Sequence, residues 1–130
     1  MSEIRATTIS DETGNGPIAL TKQHAVKAWI NFDGTTVTSS ADLTGVRDSF
    51  GVASVVDNSA GDYNINFSTS MSNSNYYVGE SGANNTTQEI RHNNGLTRTA
   101  TAVQIDCRSN NGNGYADTAY AGVGILGDLA

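Results

Sequence analysis

The chain has 130 residues and a formal net charge of −6, with only seven lysines and arginines. That length fits one domain, and that charge argues against a protein that grips nucleic acid electrostatically. Asn, Ser, Thr and Gly together supply 56 residues, which disfavours a helical bundle and favours many short strands with tight turns.

Residues 1–24 hold few large apolar groups, namely Ile4, Ile9, Ile18 and Leu20, and are broken by Gly14-Asn15-Gly16-Pro17. Such a stretch buries too little surface to fold alone. We read it as an extended N-terminal arm that becomes ordered on a neighbouring subunit, with those four residues as its candidate attachment contacts, and residues 25–130 as the folded domain. The strand signal starts at Lys27–Asp33, where Ala28, Ile30 and Phe32 alternate with Trp29, Asn31 and Asp33. Asp33-Gly34-Thr35-Thr36 is a turn signal. Phe50, Val52, Val55 and Val56 read as one strand over 50–57. Tyr63, Ile65 and Phe67 alternate cleanly with polar residues over 62–68. The loop Asp57–Asp62 joins these two runs as a hairpin.

A polar turn over Ser68–Asn75 leads to a strand that begins at Tyr76-Tyr77-Val78. Adjacent strand residues point to opposite faces, so one of those tyrosines is buried. Residues 81–88 and 92–95 read as loops with Ile90 between them. Arg98–Arg108 alternates again, with Val103, Ile105 and Cys107 on the core side. Asn110–Gly114 is the strongest turn signal. Ala121, Val123 and Ile125 form the last strand, beside Gly122 and Gly124, which suggest another backbone or subunit packed close by. The fold expected is all-β: an antiparallel sandwich of six to eight strands, jelly-roll-like.

The chemistry-bearing residues are sparse. His24 and His92 have no second ligand at metal spacing. Cys107, the one cysteine, excludes an internal disulfide and reads as a small buried hydrophobe. Asp33, Asp48, Asp57, Asp62 and Asp106 sit at turns or strand ends, where aspartate ordinarily bonds its own backbone. No nucleophile elbow and no phosphate loop is present. The expectation is a non-enzyme without metal or cofactor. No apolar run approaches the ~18 residues of a membrane span, and the first residues lack a secretory apolar core, so folding in a reducing cytosol and no membrane insertion are expected. Surface aromatics are the more suggestive feature. We take Tyr76, Tyr77, Asn111, Asn113 and Tyr115 as candidate glycan contacts, by ring stacking and amide hydrogen bonds.

Lys27-Ala28-Trp29-Ile30-Asn31-Phe32-Asp33-Gly34 resembles the KAW(V/I)NFDG opening of a β domain in tailed-bacteriophage fibre and virion proteins. Val46-Arg47-Asp48-Ser49-Phe50-Gly51-Val52-Ala53-Ser54-Val55-Val56-Asp57 is similar to that family's IRDSFNVSSITD. Gly61-Asp62-Tyr63-Asn64-Ile65-Asn66-Phe67 is similar to its GDYTVNF, and Met71 with Asn75-Tyr76-Tyr77-Val78 to its M…NYAV. The likeness covers residues 27–78 well and 96–127 loosely. Residues 80–98 fit no pattern of the family. The resemblance implies a homotrimeric, non-enzymatic virion protein made in the host cytoplasm. Its partners would be itself, other tail or capsid proteins, and host surface polysaccharide. A tail-fibre or spike-type module is the reading preferred, with a capsid decoration or head-fibre protein held by its arm as the alternative.

Overall fold

The computed structural model describes residues 26–82, 88–91, 97–109 and 114–130. They contain eight strands: β1 (Val26–Phe32), β2 (Val46–Phe50), β3 (Val52–Ser59), β4 (Asp62–Phe67), β5 (Tyr77–Gly82), β6 (Gln88–Arg91), β7 (Ala102–Ser109) and β8 (Ala121–Leu126). Two antiparallel sheets face each other. One runs β2-β1-β8-β5; the other runs β3-β4-β7, with short β6 added at its edge. The arm expected over residues 1–24 lies outside the described residues.

Period-two alternation builds the core. Ala28, Ile30 and Phe32 of β1 face Tyr63, Ile65 and Phe67 of β4, Val103, Ile105 and Cys107 of β7, and Ala121, Val123 and Ile125 of β8. All are buried, and each large apolar group so placed stabilises the fold by about 1.5–3 kcal/mol relative to exposure. Tyr63 is the largest side chain with no exposed surface, and its ring meets Phe32 edge-on at 5.2 Å.

The hairpin expected over 50–68 is β3 and β4, with Val55 opposite Ile65 and Ser59 opposite Asp62. The single strand expected over 50–57 is corrected. The chain makes two strands, and they belong to different sheets, with Gly51 alone between them. Gly51 has φ +69°, and its carbonyl accepts from the Ser68 amide at 2.9 Å. A left-handed residue turns the chain sharply enough to change sheet within one position. The exposed edge of β3 is covered by residues 38–42: Val55 and Asp57 donate their amides to the carbonyls of Asp42 and Thr38. This pairing blunts an edge that would otherwise template aggregation. The loop expected over 81–88 is corrected at both ends, since Ser81 and Gly82 close β5 and Gln88 opens β6, which pairs with β7 and sets Ile90 opposite Cys107; the loop expected over 92–95 lies outside the described residues. The strand start expected at Arg98 moves to Ala102; Arg98 itself makes an isolated bridge to Val103, and its guanidinium donates to the Tyr76 carbonyl at 3.0 Å and lies over the Tyr76 ring.

Candidate functional site

The strands have two ends, and the connections divide between them. At one end lie Val26, Gly51, the turn over 68–75, residues 99–101 and the final residues 127–130. Phe67 bonds Thr101, Met71 bonds Ala100 and Ser72 bonds Asp128 there. We call this the arm end, because the chain enters β1 at Val26. At the opposite, distal end lie the turn over 33–36, the hairpin tip at Gly61 and residues 114–118.

The distal end is tied together by one buried hydroxyl. The Tyr63 hydroxyl donates to Asp117 Oδ1 at 2.7 Å and lies 3.1 Å from the Gly34 carbonyl oxygen. Asp117 Oδ1 also accepts the Gly61 amide at 2.7 Å. Burial, and then the Asp117 carboxylate, push the Tyr63 phenol well above its ordinary value, so it stays a donor. Gly34 must be glycine because a Cβ there would run into Tyr63 Oη. Asp33 turns the chain by accepting from the Thr35 amide and hydroxyl at 3.1 and 2.6 Å, as expected of an aspartate at a turn.

An exposed aromatic platform sits on this frame. Tyr115 is half exposed. The Arg108 guanidinium lies 4.4 Å from its ring centroid and donates to its hydroxyl at 2.8 Å. Arg108 Nε in turn donates to the fully buried Asp106 carboxylate at 3.1 Å. A tyrosine held this way presents its ring already ordered, which lowers the entropic cost of binding. Nothing in the sequence marks this clamp, since Arg108 and Tyr115 are seven residues apart across a turn. Tyr120 is a second exposed ring with an arginine over it, Arg47 at 4.7 Å, and Arg47 is paired with Asp33 at 3.0 Å.

The five candidate contacts are not brought together. Tyr76 is the buried member of its pair, 4% exposed, with its ring edge-on to Phe67 at 5.5 Å. Its hydroxyl lies 2.9 Å from the carbonyls of Thr99 and Ala102. It is a core residue, which removes it as a stacking surface. Tyr77 is exposed but lies at the arm end, opposite Leu126. Asn111 and Asn113 lie outside the described residues, as do Ile4, Ile9, Ile18 and Leu20. Tyr115 alone of the five is an exposed ring at the distal end.

The two outer sheet faces differ in kind. On the β3-β4-β7 face the polar groups satisfy one another: Gln104 Nε2 donates to both Asp62 oxygens at 2.8 and 2.9 Å, and Asn66 donates to Ser54 Oγ at 2.9 Å. On the β2-β1-β8-β5 face, Phe50, Trp29, Gly124 and Gly79 form one row across the strands. Asp48, Asn31, Gly122 and Ser81 form the next. Large aromatics thus flank a floor of glycines, leaving a groove of about 460 Å³. A second concavity of about 510 Å³ lies at the arm end between Ser72, Asn75, Tyr77 and Asp128.

The chemistry of the remaining groups is that of acceptors and core residues. Cys107 is fully buried, and burial followed by the Asp106 charge pushes its thiol up to about 12, so it is protonated at neutral pH. His24 and His92 lie outside the described residues. Among the described residues no group of three or more His, Cys, Asp and Glu is placed to hold a metal ion. Burial, then Asp117, pushes the Asp57 carboxyl up, and Asp62 adds to this.

Glu80 gives a pH prediction. It lies on β5, and its Oε1 is buried with no hydrogen-bond partner among the described residues. Burial raises its carboxyl above the ordinary 4.5, against an opposing pull from Arg98. The folded state therefore binds the Glu80 proton more tightly than the unfolded one. Stability falls as pH rises from 4.5 through the raised value, and the loss is complete above it. Glu80→Gln should melt higher than the parent at neutral pH and converge with it near about pH 4. Thermal melts across that range check this; an unchanged gap would contradict it.

Comparison of the chain with protein-family models, with curated proteins and with solved structures gave no match.

Proposed function

We propose that the protein is a non-enzymatic surface module of a bacteriophage virion, of the tail-fibre or spike type, which contacts glycan on the host cell. The observation that carries this reading is the opposition of the two ends. The chain enters at one end, where an anchoring arm would leave the domain, and an arginine-held tyrosine stands exposed at the other. The motif resemblance over residues 27–78 supports the same reading. So does the all-β arrangement of two antiparallel sheets, in which first and last strands pair centrally while β3-β4 and β7 close the opposite sheet. The assembly is a homotrimer, and weak contacts at each distal end add through multivalency. The net charge of −6 keeps such a particle from adhering without selection.

The test is Tyr115→Ala in the whole chain, displayed on particles. Binding to host cells should fall roughly tenfold, the scale of one lost stacking contact, while the oligomer persists. Undiminished binding would remove Tyr115 from the host contact. The alternative is a capsid decoration or head-fibre protein, and the same end-to-end layout favours it, because an arm on the shell would leave the distal end outward. Labelled protein seen at the head rather than the tail decides for it. In both versions deletion of residues 1–24 should leave a soluble oligomer that no longer binds particles.

A further inference from the structure

The outer face of the β2-β1-β8-β5 sheet carries two parallel rows of unlike chemistry. Alternation sends every second residue outward, and register then fixes its neighbours. In the row Phe50–Trp29–Gly124–Gly79, Phe50 and Trp29 are 60% and 36% exposed. Tyr77, two residues before Gly79 on β5, is 66% exposed. In the row Asp48–Asn31–Gly122–Ser81, the three side chains are all exposed. One side of the face is thus ring surface, and the other offers a carboxylate, an amide and a hydroxyl.

Glycine shapes the ring side into a slot. Tyr77 leans along its strand over Gly79, where a Cβ would lie 3.2 Å from Tyr77 Cε1. Its ring therefore stands across Gly124 from Trp29, two strand spacings or about 10 Å away. The groove between them, about 460 Å³, has the size of a small-molecule site rather than of a protein interface. Glu80 gives this groove its backbone only: it stands opposite the buried Val123 on the core side of β5, and its Oε1 is buried. Tyr77 also walls the second concavity, of about 510 Å³, with Asn75 and Asp128 beyond it. A ligand of several linked units thus meets polar groups on both sides of that ring. Among the described residues neither hollow is lined by lysine or arginine, and the chain is at −6, so an anionic ligand does not suit it.

We propose that this face is a second glycan site, which takes an uncharged oligosaccharide over Gly124 between Trp29 and Tyr77. A sugar ring has the two surfaces the face asks for. Its C–H flank packs on the aromatic rings, and its neutral hydroxyls donate to the Asp48 and Asp128 carboxylates and exchange hydrogen bonds with Asn31, Ser81 and Asn75. The site goes beyond the reading above. It lies on the flank of the domain, away from Tyr115, and shares with that reading only the class of ligand.

The full chain with soluble dextran, mannan and galactan tests it, with heparin as the charged comparison. Trp29 is the one tryptophan, so its emission reports this face. At least one neutral polysaccharide should shift that emission and retard the chain in a native gel that contains it, and heparin should do neither. Tyr77→Ala and Trp29→Ala should each weaken the retardation roughly tenfold. Both positions are exposed, so far-ultraviolet circular dichroism should not change. Trp29→Phe, which keeps a ring, should retain most of the binding. Asn64→Ala, on the outer face of the other sheet, should bind like the parent. If no neutral polysaccharide moves the Trp29 emission, or if heparin alone does, the proposal falls. If retardation survives both aromatic-to-alanine variants, the sugar binds elsewhere; the proposal falls and the glycan reading at Tyr115 stands. If those variants instead lower the mass of an oligomer seen by light scattering, another copy covers the face, and the proposal falls.

Discussion

Tyr63→Ala should lower the free energy of unfolding by about 3–5 kcal/mol, the range for removing a large buried aromatic. The site has no slack to collapse into: the ring is fully buried against Phe32. Two further losses come with it. Asp117 loses the phenol donor, and the Gly34 carbonyl loses its neighbour. Against a typical total of about 5–15 kcal/mol, this places the domain near its limit. Tyr63→Phe separates the two contributions. It keeps the ring and removes only the hydroxyl, and should cost about 1–3 kcal/mol. Urea denaturation of both variants measures the difference. A Phe variant as unstable as the Ala variant would show that the hydroxyl, rather than the ring, holds the distal end.

Gly51→Ala should be the second severe change, although it adds one methyl group. The left-handed backbone at φ +69° costs a residue with a Cβ about 1–2 kcal/mol. The added Cβ would also lie 2.5 Å from the Lys27 carbonyl oxygen and 3.2 Å from Ala28 Cα. Those are backbone atoms of β1, so relief requires moving a strand. The total should be roughly twice the conformational part alone. Since Gly51 is the whole connection between β2 and β3, which lie in different sheets, the damage should be shared by both. The midpoint of urea unfolding should fall while the transition stays single. A cost below about 0.5 kcal/mol would mean that the crossing tolerates a side chain.

Much of this architecture is local in origin and was legible in the amino-acid sequence. Alternation over 27–33, 62–68 and 102–108 placed Ala28, Tyr63, Cys107 and their partners on the core side, because a strand turns successive side chains to opposite faces whatever it pairs with. The turn at Asp33-Gly34 and the hairpin between β3 and β4 follow from short-range hydrogen bonding and glycine's freedom. The burial of one of Tyr76 and Tyr77 was dictated by parity.

Which of the two is buried was decided only when Phe67 and the carbonyls of Thr99 and Ala102 closed around Tyr76. The break at Gly51 reads in sequence like any glycine, since nothing local says that the strands on its two sides join different sheets. The arginine clamp on Tyr115, the burial of Asp106 on an outward-facing position of β7, and the row Phe50–Trp29–Gly124–Gly79 are all products of register between distant strands. Alternation assigns each residue a side. Only pairing across the chain assigns that side its neighbours, and here the neighbours separate a self-satisfied polar face from one of aromatics over bare glycine.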